Sequence, residues 1–364
     1  MAETNITQRT FDALATLLLS QPVRGDQAFK KEIEYVSSLD REQLRDFLKQ
    51  AETQRVLRRT LEVLKPNLPT PGSATADMVD EMLAGEQSRV YNALMCLRVI
   101  VDRFEERGHP ITIMKTLDHW PDTGSDLDLL VAAGDEQVCQ IFEKSLQSAK
   151  QPQSWGDRLA HKYNFRVPGL AELVEVHVGC LGQTGEQRAL AGGVLSRSGG
   201  ETYGTTSLPV PAAEDRIVIA TLQRMYRHYY IRLTDIVNIF SSLAARRVDF
   251  ERLQMIAESG SVWPGVATLL SIVREHGIRY GGQPIDLPNA ITRAARFHAD
   301  RTYLGKNFVR VPLMPEAAQL FFRQLAGNGR NHNFAAMARL SLLPVLATAA
   351  FVSFRLTGND KGIW

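Results

Sequence analysis

Trp120-Pro121-Asp122-Thr123-Gly124-Ser125-Asp126-Leu127-Asp128-Leu129-Leu130-Val131 reads as a loop that runs into a buried strand. Side chains alternate faces along a strand, so positions i and i+2 point the same way. Asp126 and Asp128 therefore project together, with Leu127 and Leu129 on the opposite face. Two carboxylates cost too much in a core to be there for packing alone. At a strand end beside a loop they make a hard, oxygen-rich site suited to Mg²⁺.

Two carboxylates leave a metal site incomplete, and Leu173-Val174-Glu175-Val176-His177-Val178 supplies a third. Glu175 and His177 share one face of this expected strand, and the three valines share the other. The same alternation also describes an edge strand with a solvated polar face.

Around these two segments the helical and strand periods alternate. Residues 8–64 follow helical spacing, with Phe11, Leu14, Leu17, Leu18 and Gln21 on one stripe. Asp40 with Gln43 is placed to cap a second helix with a capping box. Residues 65–75 hold three prolines, a glycine and a serine and read as a linker. A long helix is expected over about 76–107, with Val90, Leu94, Leu97, Val101 and Phe104 on its apolar stripe and Gly108 and Pro110 ending it. Strands are expected at 111–114, 127–132, 158–167 and 172–178, the last two joined by Pro168-Gly169. Asp135 is placed to cap an intervening helix carrying Val138, Ile141, Phe142 and Leu146. Residues 181–207, with seven glycines, read as a long loop or flap. The remainder is helical: Pro211 precedes Glu214-Asp215, suited to a helix start, and Leu233, Ile236, Val237, Phe240 and Ala244 form a stripe. No internal repeat is present.

The 364 residues, 44% hydrophobic and 23% charged, are enough for two or three domains. A net charge of +2 gives no basic channel of the kind that long nucleic acid requires. Cys96, Cys139 and Cys180 suggest neither a disulfide framework nor a zinc spacing, which fits a reducing cytoplasm. The first residues lack the pattern of a secretory signal. Residues 340–354 (LSLLPVLATAAFVSF) carry no charge. They are shorter than a membrane span, which needs about 20 residues. A buried helix is expected, with attachment to a membrane surface as the alternative.

Ile113-Met114-Lys115-Thr116, nine residues, then Asp126-Leu127-Asp128-Leu129-Leu130-Val131 resembles the nucleotidyltransferase fold typified by DNA polymerase β and the aminoglycoside nucleotidyltransferases. That superfamily pairs a small-residue motif with Asp-x-Asp on the next strand and takes a third carboxylate from a later strand, here Glu175. The chain looks most like a bacterial branch with a Leu-Lys-Gly-type first motif. Residues 211–216 through Arg232-Leu233-Thr234-Asp235-Ile236-Val237 resemble that branch's helical half. The resemblance covers about residues 90–275. It implies an α+β fold: a small mixed β-sheet core flanked by N-terminal and C-terminal helical regions. The divisions expected are 1–74 helical, 75–207 the α/β core with its leading helix, and 208–364 helical.

The resemblance implies transfer of a nucleoside monophosphate from a nucleoside triphosphate to a hydroxyl or amine of a small molecule or protein, with pyrophosphate released. Asp126, Asp128 and Glu175 would be the catalytic carboxylates and hold Mg²⁺ or Mn²⁺. Lys115, Thr116, Ser125 and His177 would meet the nucleotide. Lys115-Thr116 stands where the superfamily has Gly-Gly or Gly-Ser; Lys115 offers a phosphate a positive charge, or pairs with Asp126 or Asp128. Glu175 would complete the metal site or act as general base on the acceptor, and His177 reads as a partner that orients a ligand, with the base's work as the alternative. Arg232 and Asp235 are spaced for an ion pair on one helix, with a substrate contact as the alternative. Arg224, Tyr226, Arg227, His228, Tyr229, Tyr230 and Arg232 read as a solvated helix end, with stacking of a nucleobase or contact with phosphates as the alternative. His109 and His119 read as structural. A fold member that binds nucleotide without turnover and a helical interaction protein are the other functional readings. Partners on long nucleic acid or in a membrane are not expected.

Overall fold

In the computed structural model, residues 2–20, 27–68, 74–282, 284–305, 307–346, 348, 349 and 352 are described. Four helices open the chain: α1 (Ala2–Leu19), α2 (Gln27–Ser37), α3 (Arg41–Thr53) and α4 (Leu57–Leu64). Asp40 accepts from the backbone N–H groups of Glu42 and Gln43, and Gln43 reaches back to the N–H of Asp40 at 3.1 Å. The expected box is therefore formed, but α2 makes its helix the third. Leu44, Phe47, Leu48 and Ala51 bury one face of α3, each larger side chain contributing roughly 1.5–3 kcal/mol. Gln21 of the first stripe, and residues 69–73 of the expected linker, lie outside the described residues.

The long helix α5 (Ala74–Glu105) buries the five expected stripe residues. Gly108, at a φ of +71°, lets the chain turn away in a conformation that favours glycine. Strands β1 (Ile111–Met114), β2 (Asp126–Val131), β3 (Ala149–Lys150), β4 (Lys162–Arg166) and β5 (Leu173–Val178) form one mixed sheet in the order β1-β2-β5-β4-β3. Only β2 and β5 run parallel; the other pairs are antiparallel. Between β2 and β3 lies α6 (Asp135–Cys139), which Gly134 caps, Asp135 being its first residue. Ser154 caps a short helix α7 (Trp155–Leu159), so the strand expected from Arg158 begins only at Lys162.

Residues 181–207 are mostly ordered elements rather than a flap. Helix α8 (Arg188–Arg197) buries Leu190, Ala191 and Val194, and β6 (Gly199–Tyr203) pairs with β7 (Thr206–Val210) as a hairpin. The glycine count misleads because burial of one helical face overrides the weak propensity of Gly192 and Gly193.

The rest is α9 (Ala213–Gln223), β8 (Tyr230–Ile231), α10 (Leu233–Ala244), α11 (Phe250–Ser259), α12 (Trp263–Gly281), α13 (Asn289–Ala294), β9 (Tyr303–Gly305), β10 (Phe308–Arg310), α14 (Ala318–Arg330) and α15 (Phe334–Leu340). Glu214 and Asp215 lie in the first turn of α9, as expected. Four residues of the expected stripe on α10 are buried; Ala244 is exposed. α10 and α12 approach so closely that a Cβ at Gly277 would lie 2.1 Å from Phe240 Cε2. Beyond α15, Leu343 is buried but Leu342, Val345 and Val352 are exposed, so the apolar run is not the buried helix expected. Ala347, Ala350, Phe351, Ser353 and Phe354 of that run lie outside the described residues. Among the described residues no helix is long and apolar enough to cross a membrane.

The protein is thus an α+β fold with a small mixed sheet and helical regions at both ends. Two apolar clusters flank the sheet. Leu127, Leu129 and Val131 of β2 join Val174, Val176 and Val178 of β5 against α5. On the other face Met114 and Leu130 belong to a larger cluster that unites α1, α3 and α4 with α9, α10 and α12. The carboxylate side of β2 therefore faces the seam between sheet and helices.

Helix α4 fixes the loop before β2. Asp122 is buried and accepts from the N–H of Arg58 at 2.6 Å, and Arg59 Nε lies 3.1 Å from its Oδ2. Arg59 Nη2 also donates to the carbonyls of His119 and Trp120 at 2.7 and 2.6 Å. Breaking a buried pair leaves an uncompensated charge. Arg59→Met is therefore expected to lower the unfolding free energy in urea by about 3 kcal/mol; a loss no larger than that of an average surface substitution would show that the clamp is not structural.

Candidate metal site

Parallel pairing puts Asp128 of β2 directly opposite Glu175 of β5, and Leu130 opposite His177. Asp126 sits one pleat nearer the strand's open end, opposite Leu173. Asp128, Glu175 and His177 each offer one ligand atom, and these atoms all lie within 4.8 Å of one another. Among the described residues this carboxylate–imidazole group can hold a metal ion. Asp126 is not one of the three. Its exposed carboxylate accepts from Ser125 Oγ at 3.1 Å, and partial desolvation together with Asp128 and Glu175 raises its pKa.

Two lysines balance the carboxylates. Lys115 Nζ lies 2.5 Å from Asp128 Oδ1, 3.6 Å from Glu175 Oε1 and 3.5 Å from His177 Nε2. The ammonium thus occupies a cation's place among the three groups. Lys162, on β4 and buried, reaches Glu175 Oε2 at 2.8 Å and Asp157 Oδ1 at 3.4 Å. Burial pushes the Glu175 carboxyl up, but Lys162, the hydrogen bond with His177 and Lys115 together hold it well below its ordinary value. His177 is buried, with Nε2 2.7 Å from Glu175 Oε1 and a buried Nδ1 that has no partner. Its Nε2 is thus shared between contact with Glu175 and the candidate ligand set.

The turn that carries Lys115 and Thr116 has the shape a glycine would give. Lys115 has a φ of +60°, in the left-handed region, at a cost of about 1 kcal/mol for a residue with a Cβ. Thr116 is buried, and its Oγ1 accepts from the N–H of Asp128 at 2.8 Å and faces the Asp126 carbonyl at 3.4 Å. Its hydroxyl therefore fastens the start of β2. Of the residues expected from the sequence, Lys115, Asp128, Glu175 and His177 converge; Asp126 and Ser125 lie at the rim, and Thr116 lies beneath.

Lys115 also borders two cavities. The larger, about 90 Å³, is lined by Asp118, Glu201, Arg216, Asn238 and Arg247 among others. The smaller is lined by Lys115, His177, Gln183 and Arg227 among others. Burial raises Asp118 to about 6, against the pull of Arg216, whose Nε lies 3.4 Å away. Arg216 Nη2 is paired with Glu201 at 2.7 Å. Lys162, Asp118 and Arg216 were not singled out from the sequence. A lysine inside a strand expected beside Glu175 was a signal for the first, whereas Asp118 and Arg216 come together only through the fold.

Other expectations are redirected. Asp235 takes Arg224, not Arg232, as its ion-pair partner, with Nε 2.7 Å from Oδ2, while the backbone N–H of Arg232 donates to the same oxygen at 2.8 Å. The spacing is right for a cap, and the partner comes from the preceding helical turn. Arg224, Met225 and Tyr226 are buried, so that segment is not a solvated helix end. His119 is structural, as expected: it is buried with Nδ1 3.3 Å from Thr234 Oγ1. Burial, then the nearby arginines, push its pKa well down.

No family model matches the chain, and none of the curated proteins matches it. Among solved structures, an antigenic nucleotidyltransferase-like protein from Paracoccidioides brasiliensis is similar over 46% of this chain and 85% of its own length, at 18% identity and a TM-score of 0.31.

Metal binding separates the two ligand sets. In a Mn²⁺ titration read by calorimetry, Asp128→Asn and Glu175→Gln are expected to abolish binding. Loss in Asp126→Asn as well would favour the three-carboxylate set, and retained affinity the Asp128–Glu175–His177 set. Asp118 predicts a pH dependence. A pKa raised on folding adds stability that is present below its ordinary value of 3.8 and is lost as pH rises through about 6. The stability of the wild type relative to Asp118→Asn, from urea unfolding, should therefore fall between pH 4 and 7; a constant difference would contradict the shift.

Proposed function

We propose that the protein is a metal-dependent nucleotidyltransferase that moves a nucleoside monophosphate from a nucleoside triphosphate to a hydroxyl or amine and releases pyrophosphate. The observation that carries this reading is the in-register parallel pairing that sets Asp128 beside Glu175, with His177 behind and Asp126 at the rim. The donor set of carboxylate oxygens with one imidazole suits Mg²⁺ or Mn²⁺. The lysine ammonium at its centre marks a place where positive charge is stable. When bound, a divalent ion supplies charge neutralisation at the phosphates.

The chain's own residues do the rest. The acceptor oxygen or nitrogen forms a bond to the α-phosphorus as the bond from that phosphorus to the bridging oxygen breaks, and pyrophosphate carries the electron pair away. Glu175 is held ionised by Lys162 and His177, which suits it to ligation and makes it a weak base. Asp126, exposed and with a raised pKa, is the better placed carboxylate to take the acceptor's proton. Lys115, released from Asp128, would place its charge on a phosphate oxygen. The larger cavity, with carboxylates and arginines both on its wall, is the space we assign to the small-molecule or protein acceptor.

Pyrophosphate release with a panel of the four nucleoside triphosphates, Mg²⁺ and candidate acceptors tests the reading. Asp128→Asn should lower release at least about a hundredfold, since a metal's contribution is worth several kcal/mol, while the melting temperature stays near that of wild type. Release that is unchanged in this variant, or absent with every acceptor tried, would refute the proposal.

A further inference from the structure

The C-terminal helical region brings more positive charge to the edge of the site than it neutralises. Arg224, Arg227, His228 and Arg232 lie on the turn between α9 and α10. Arg224 is matched by Asp235 at 2.7 Å. Among the described residues Arg227 and Arg232 form no ion pair, nor does Arg55, and the Nε atoms of Arg227 and Arg232 are buried without a hydrogen-bond partner. Arg232 donates to Tyr230 Oη at 3.3 Å, and its guanidinium carbon lies 5.5 Å from the Tyr230 ring centre, which holds the group but does not neutralise it. Asp235 is already engaged by Arg224 and by its cap on α10. Partly buried cations without a counter-charge are costly unless an anion joins them.

The crowding leaves an electrostatic imprint. Burial, then Arg227, Arg224 and Lys115, push the His228 imidazole down to about 2. Burial and then Arg224 lower the Arg232 guanidinium from its ordinary value. Arg55 in turn acts on Asp126. The cationic cluster and the carboxylate cluster therefore lie within each other's field. The small cavity is lined by Lys115 and His177 from the carboxylate side and by Arg227 from the cationic cluster.

We infer that Arg227 and Arg232, together with Lys115, seat the triphosphate of the nucleotide, in place of the glycine backbone that the turn at Lys115-Thr116 lacks. This rests on the nucleotidyltransferase reading above. Guanidinium groups suit the role because their planar fork meets phosphate oxygens two at a time.

Inorganic triphosphate is the probe, titrated by calorimetry into the full chain at low salt without divalent metal. The wild type should bind it. Arg227→Gln and Arg232→Gln should each weaken binding about tenfold or more, as loss of a charge-assisted contact implies. Arg227→Lys should recover part of the loss, and Asp128→Asn should bind at least as well as wild type. Circular dichroism and melting temperature check the fold of each variant; Arg227, which lines the small cavity, decides the matter if Arg232→Gln unfolds. No binding by the wild type, or equal binding by wild type and folded Arg227→Gln, overturns the inference. Arginine-dependent binding with no pyrophosphate release from any acceptor supports the anion seat and overturns the transfer reaction instead.

Discussion

Two carboxylates held side by side on a half-buried sheet face repel one another by about 4 kcal/mol at 4 Å in a protein-like medium. The rest of the site follows from how the chain contains that repulsion. The parallel ladder between β2 and β5 forces Asp128 and Glu175 together. Lys115 comes from the turn before β2 and Lys162 from β4, one on each side of the pair. Each lysine is positioned by a different covalent segment, so the charge balance exists only when the sheet is assembled. His177 then spends its Nε2 on Glu175 and holds it in place.

Much of this was legible in the sequence because it depends on period. Alternation at Asp126 to Val131 and at Leu173 to Val178 located both strands and both polar faces, and the carboxylates fell where the spacing put them. The Asp40 box was legible because both partners are local. What the sequence hid depends on burial or on distant pairing. Gly192 and Gly193 look like loop residues until one face of α8 is buried. Arg232 looks like the partner of Asp235 because it is three residues away, yet Arg224 is nearer in space. Arg59 acts between a helix and a loop that no local pattern pairs.

The seam between sheet and helices explains why a site of this kind sits under helices from both ends of the chain. β2 presents apolar residues to α5 and carboxylates to the other side, where Met114 and Leu130 merge into the large helical cluster. The loop that enters β2 is tied to α4 through Arg59 and Asp122. The geometry at Asp126 and Asp128 is thus fixed from one side by the ladder and from the other by the first 64 residues.

Lys115 gives this arrangement a thermodynamic consequence. Its ammonium sits between the carboxylates, so an incoming cation would exchange with it instead of adding to it. The free energy of binding a metal there would include the cost of relocating an ammonium ion. Any anion that offers that ammonium a new partner lowers the cost, and by linkage the metal raises the anion's affinity by the same factor. A single side chain can in this way couple two binding events without any movement of the backbone.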